Sequence, residues 1–176
     1  MAALSLSALA AAQPTAAQEL SEYQVKAAFL YNFAKFIDWP EPKLNTTDNR
    51  LHLCVLGDDP FGEELDATVD GKTVQGKWLT VRRLQSGDDL RQCHLLFIGD
   101  SGEFHLPFVL NEAREAHVLT VGDSPDFAFQ GGMINFRMEG NKVRFEINAR
   151  AAEGAGLRIS SQLLKLAVRL IGEPSS

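Results

Sequence analysis

Three Gly-Asp pairs close apolar runs in this 176-residue chain: Gly57-Asp58 in VLGDD, Gly99-Asp100 in FIGDS and Gly122-Asp123 in TVGDS. Two of them continue into serine, Ser101 and Ser124. Two chemistries are conceivable. A serine could act as a nucleophile if a histidine activated it. Alternatively, Asp58, Asp59, Asp100 and Asp123 could converge on a hard cation such as Mg²⁺.

Neither set assembles. The four histidines are His52, His94, His105 and His117. His52, His94 and His117 fall at or near the starts of apolar runs, whereas the corners fall at the ends. His105 is close to Ser101, but no acid is placed to orient it, and no G-x-S-x-G elbow occurs. A receiver-type phospho-acceptor site would need a lysine at a later strand end, and none follows Gly122. No Gly-rich phosphate loop is present either. Glycine before aspartate suits a tight turn, and Asp or Ser there suits a helix N-cap. The corners therefore read as three similar strand-to-helix turns. No catalytic residue, metal ligand or cofactor is assigned.

The elements that would position these corners follow from periodicity. Ser21 to Trp39 reads as a helix, opened by a Ser21–Gln24 capping box. Val25, Phe29, Phe33 and Phe36 form one apolar stripe; Ala27, Leu30, Ala34 and Ile37 form a second. Only Gln24, Lys35 and Asp38 remain as a polar strip, so the helix is covered on more than one side. Trp39 before Pro40 ends it, and EPKLNTTDNR reads as a polar loop. Four strands follow: LHLCVLG, KWLTVRRL, CHLLFIG and HVLTVG. They alternate with helical stretches in DPFGEELDA, DDLRQ and EFHLPFVLNEAREA, the last capped by Ser101 and restricted by Pro107 to its later residues.

The ending differs. GMINFRM and KVRFEIN alternate about a turn at Gly140-Asn141, which predicts an antiparallel hairpin. Ile134, Phe136, Met138, Val143, Phe145 and Ile147 take its core side; Arg137, Lys142, Arg144 and Glu146 take its wet face. ARAAEGAG reads as a short helix stopped by Gly156. A last helix, capped by Ser160 or Ser161, carries Leu163, Leu164, Ala167, Leu170 and Ile171 before Gly172 and Pro174. The fold class expected is α/β, three-layer, with a mostly parallel sheet flanked by helices and a C-terminal antiparallel hairpin. A single domain is expected over residues 20–172.

The net charge of -6 and pI near 5.2 speak against nucleic acid. Residues 1–18 are uncharged and rich in Ala, Leu and Ser, which reads as an export signal with a small-residue cleavage site near ALAAAQ. Cys54 and Cys93 lie in no metal-binding spacing. In an oxidising compartment they form one disulfide most simply, closing a loop worth on the order of 4 kcal/mol; two buried free thiols are the alternative. The remaining signals are on the surface: DWP at the end of the first helix, Arg158 in LRIS, and the charges of the hairpin.

The segments EYQVKAAFLYNFAKFIDWP, LHLCVLGDDPFGEEL, CHLLFIG and GGMINFRMEGNKVRFEINARAAEGAGLRISSQLLKLA resemble the YfiR family of periplasmic proteins, over about residues 20–170. The first helix and the hairpin-to-LLKLA ending are the most specific parts, and neither is a catalytic motif. The resemblance implies a non-enzymatic, exported and dimeric protein. Its implied role is to repress an inner-membrane diguanylate cyclase through the cyclase's periplasmic sensing domain, with cyclic di-GMP and biofilm as output. An outer-membrane, peptidoglycan-associated lipoprotein would sequester the repressor, and redox state and small ligands are linked to the switch. Residue by residue, Cys54 and Cys93 match a family disulfide. Arg158 and Ser160 match positions near a ligand and partner groove. Trp39 and Pro40 match the end of the signature helix, and Asp38 departs from the basic residue found there in some members. The expected partner- or ligand-binding set is Asp38, Trp39, Pro40, Arg144, Arg158 and Ser160. A second cysteine pair near Phe127 and Asn135, present in some members, is missing here. A periplasmic small-molecule sensor or carrier, holding an anion beside Arg158, is the alternative function.

Overall fold

The computed structural model describes residues 20–100 and 104–172. The export signal, the Ser101 cap and Pro174 lie outside the described residues. An eight-stranded sheet runs in the order β10-β8-β7-β6-β5-β2-β4-β3. Its strands are β2 (Arg50–Leu56), β3 (Thr73–Val74), β4 (Lys77–Leu84), β5 (Leu95–Ile98), β6 (Leu119–Gly122), β7 (Ile134–Glu139), β8 (Lys142–Asn148) and β10 (Arg169–Ile171). The pairs are parallel except for β3 with β4 and the β7–β8 hairpin. A separate two-stranded ribbon joins β1 (Ile37–Asp38) to β9 (Arg158–Ile159), antiparallel. The helices are α1 (Glu22–Lys35), α2 (Glu41–Leu44), α3 (Glu63–Val69), α4 (Leu106–Glu115), α5 (Ala149–Gly154) and α6 (Ser161–Leu166), with a 3-10 turn at Leu90–Gln92.

Two cores make the three layers. On one face, Leu30 and Phe33 of α1 and Leu65 and Val69 of α3 pack on Leu53, Val55, Phe97 and Val121. On the other, Val109, Leu110 and Ala113 of α4 pack on Cys54, Leu56, Leu96 and Ile98. Consecutive strand residues point to opposite faces, so β2 and β5 feed both cores and read as continuous apolar runs. The α/β class and the hairpin stand as expected.

Several boundaries do not. The Ser21–Gln24 capping box is present, but α1 stops at Lys35. Ile37 and Asp38 leave the helix to pair with Ile159 and Arg158. A short helix, α2, begins after Pro40 within the expected loop. The last helix ends at Leu166, capped by Ser160. Arg169, Leu170 and Ile171 then form β10, parallel to Glu146, Ile147 and Asn148 of β8. That strand makes β8 an interior strand, and Glu146 is buried instead of wet. Its Oε1 accepts from Arg137 at 3.0 Å and lies 3.4 Å from Arg169. Met138, expected in the core, is exposed near the hairpin tip. His105 is the N-cap residue of α4, with Pro107 in its first turn.

Candidate functional site

The strand-end edge does gather the three corners, because β2, β5 and β6 are mutually parallel. Their aspartates nevertheless serve separate structures. Asp59 accepts the Phe61 N–H at 2.8 Å and pairs with Arg83 at 2.9 Å. Asp100 is exposed. Asp123 caps no helix; its Oδ2 accepts from Lys26 Nζ at 2.8 Å. Among the described residues, no three His, Cys, Asp or Glu side chains gather as a cation would need. Close packing explains two of the glycines. A Cβ on Gly99 would lie 2.1 Å from the Asp58 carbonyl oxygen, and one on Gly122 2.7 Å from the Phe127 ring.

Lys26 is the residue the periodicity missed. It is buried on α1, between Asp123 and Glu22, with its ammonium 4.5 Å from the Tyr23 ring centroid. Burial acts to lower its pKa, but hydrogen bonds to Asp123 and Glu22 outweigh burial and raise it. The signal was local: a lysine next to Ala27 and four residues after Glu22, on a helix with little solvent face, requires a counter-charge.

The expected surface set is partly brought together. Asp38 and Arg158 are Cα partners across the β1–β9 ribbon, and both are exposed. Ser160 ties one end of the ribbon and starts α6: its N–H donates to the Phe36 carbonyl at 2.9 Å, and its side chain accepts the Leu163 N–H. Pro40 borders the ribbon, half-buried. Trp39 points inward; it is buried, and its indole N–H donates to the His94 carbonyl at 3.1 Å. Arg144 is not part of this group. It stands opposite Arg137 in the hairpin, one residue from Phe145 and so on the face away from α1. Beside the ribbon, a cavity of about 130 Å³ opens between Ala152, Glu153, Leu157, Arg158 and Leu164. Ligand pockets usually run about 300–1,000 Å³; this volume suits one inserted side chain.

Behind Trp39, His94 is buried and fixed as a neutral ring. Its Nδ1 accepts the His52 N–H at 3.1 Å, so Nε2 carries the proton, 3.1 Å from the Lys43 carbonyl. Burial, followed by the Lys43 ammonium, pushes its pKa down to about 4. Next to it, Cys93 is disulfide-bonded to Cys54, with Cα atoms 5.8 Å apart.

The signature segments of the sequence meet in one place. Phe29 and Phe33 of α1 contact Phe136 and Phe145 of the hairpin, with Phe33 and Phe145 centroids 5.0 Å apart. The β1–β9 ribbon continues that junction to the surface.

Among the described residues, no helix is long and apolar enough to cross a membrane. No curated protein matches the chain. Several solved structures share its fold. A conserved domain protein from Vibrio cholerae superposes with a TM-score of 0.57 at 12% identity, covering 86% of this chain and 61% of its own length. The ABC domain in complex with L-Trp from Streptococcus pneumonia gives 0.51 at 12% identity, covering 74% of this chain and 58% of its own. The present chain thus spans about three fifths of the length of both, 61% and 58%. The YfiR/HmsC-like family, in contrast, matches residues 23–168, from α1 almost to β10. The chain belongs to the YfiR/HmsC-like family.

Proposed function

We propose that this protein is a periplasmic regulator that represses an inner-membrane diguanylate cyclase by direct contact, lowering cyclic di-GMP and biofilm formation. Family membership over residues 23–168 is the observation that carries this reading. Two features of the molecule support it. The exposed Asp38 and Arg158, set opposite each other on a ribbon anchored to the core, give a rigid charged edge. Beside it, the small cavity at Arg158 and Leu164 offers an anchor point for a partner side chain. Leu166, Val168 and Leu170 add exposed apolar surface nearby in sequence. In this reading residues 1–18 direct export, residues 20–172 act as one domain, and the protein works as a dimer. Binding shifts the cyclase toward its inactive state, which requires tighter binding to that state than to the active one. An outer-membrane lipoprotein would compete for the repressor and release the cyclase.

The test is a deletion strain. Cyclic di-GMP is expected to rise on deletion and to fall on complementation, with a membrane cyclase co-purifying with the tagged protein. Unchanged cyclic di-GMP with no membrane partner contradicts the reading. A periplasmic small-molecule sensor or carrier is the second reading. The helix after Arg158 is only six residues long, and Ser160 already caps it. A different cavity supports this reading better.

A further inference from the structure

A cavity of about 490 Å³ lies between α4, the turn preceding β7 and α5. Arg114 of α4 and Arg150 of α5 both line it, and Leu110, Met133 and Pro107 supply apolar lining. No carboxylate is among its lining residues. Among the described residues neither arginine has an ion-pair partner. Arg114 Nη2 instead donates to Asn111 Oδ1 at 2.5 Å, and the Asn111 amide donates to Glu115 at 3.1 Å. The nearby acid therefore acts one residue removed, orienting the amide that holds the guanidinium. In a chain of net charge -6, two guanidinium groups facing one cavity without a carboxylate are a local reversal of the general charge.

Small residues keep the space open. Gly154 ends α5 where the Arg114 stem crosses it, and a Cβ there would sit 3.9 Å from Arg114 Cδ. Gly131 occupies a left-handed conformation against Leu110, at 3.8 Å. The volume lies within the roughly 300–1,000 Å³ usual for small-molecule sites, which pair apolar walls with a few polar groups. It differs from the Arg158 cavity: Arg150, Ala151 and Gly154 of α5 face this one, whereas Ala149, Ala152 and Glu153 face the other.

We infer that this cavity binds a small organic oxyanion. A carboxylate or phosphate head would sit between Arg114 and Arg150, with an apolar body against Leu110 and Met133. Guanidinium groups suit both heads because each presents paired N–H donors to two oxygens. The inference goes beyond the regulatory reading and does not depend on it.

The experiment is isothermal titration calorimetry on the intact, disulfide-bonded chain with phenyl phosphate, phenylacetate and inorganic phosphate. At least one phenyl anion is expected to bind at one site with a millimolar or lower Kd, weakening with salt. Which one binds more tightly identifies the preferred head. Inorganic phosphate, lacking the apolar body, is expected to bind at least about tenfold more weakly. Arg114→Ala and Arg150→Ala should each weaken binding by about tenfold or more. Gly154→Phe should abolish it by filling the space, and Arg158→Ala should leave it unchanged. Thermal melts of the arginine variants should match the parent, since both side chains lie at the surface. Absence of saturable binding by both phenyl anions overturns the inference. So does binding that survives in the folded Arg114→Ala/Arg150→Ala double variant, or that is lost equally in Arg158→Ala.

Discussion

Two regions of this molecule invite a functional reading, and they are built differently. At the strand-end edge, three alike Gly-Asp corners lie side by side, yet Asp59 serves Arg83, Asp123 serves Lys26, and Asp100 is exposed. At the junction of α1 with the hairpin, segments more than 100 residues apart, such as Phe33 and Phe145, converge on one aromatic cluster. The ribbon from Asp38 to Arg158 is tied to that cluster through Phe36 and Ser160. Repetition at the edge reflects repeated turns, and convergence at the junction reflects long-range core packing. The surface proposed for partner contact is the ribbon.

The largest effect that separates the regions is expected from Phe33→Ala. The ring is fully buried between Phe136 and Phe145, so truncation should cost about 3–5 kcal/mol in denaturant unfolding. A loss below about 1 kcal/mol would show that the aromatic junction is not a principal core contact. Removing the disulfide with Cys54→Ala and Cys93→Ala comes next, at about 2–5 kcal/mol, read from the same unfolding curves.

Acid sensitivity follows. The unfolded His94 titrates near 6.5 and the folded ring near 4. Between those values the unfolded chain binds more protons than the folded one, so stability falls as pH drops through the window. The loss approaches on the order of 3 kcal/mol at the low end. Denaturant midpoints between pH 7 and 4 should show it, and His94→Gln should flatten the His94 contribution. An unchanged slope in that variant would assign the acid sensitivity to other groups. The smallest effect belongs to the edge: Asp100→Ala should change stability by no more than about 0.5 kcal/mol and leave signalling intact. Lost signalling in a stable Asp100→Ala protein would return function to the corners.

Local pattern carried the sheet well and its long-range attachments poorly. The runs that became β2, β4, β5 and β6 are short, apolar and bounded by turn residues, so each is legible alone. The end of α1 is not, because what draws Ile37 and Asp38 out of the helix is Arg158–Ile159, about 120 residues away. The end of the last helix is hidden for the same reason, because Arg169–Ile171 leave the helical pattern to pair with β8. With β10 unseen, β8 looked like an edge strand and Glu146 looked solvated. At the candidate site, Asp38, Arg158 and Ser160 were legible through family resemblance, and the ribbon joins them. Trp39 was legible as a residue of note, but its indole N–H is turned inward to His94. Arg144 stands apart, on the hairpin. Lys26 is not legible from the apolar stripes of α1, because its counter-charge Asp123 lies far away in the sequence.

The central claim is that the ribbon makes the contact that represses a cyclase. Binding of the purified, disulfide-bonded protein to the cyclase's periplasmic domain tests it most directly, by comparing the parent with Arg158→Glu and Asp38→Arg. The account predicts that the parent binds and that each variant loses at least about tenfold in affinity with an unchanged Tm. Equal binding by all three proteins, or no binding by the parent, contradicts it.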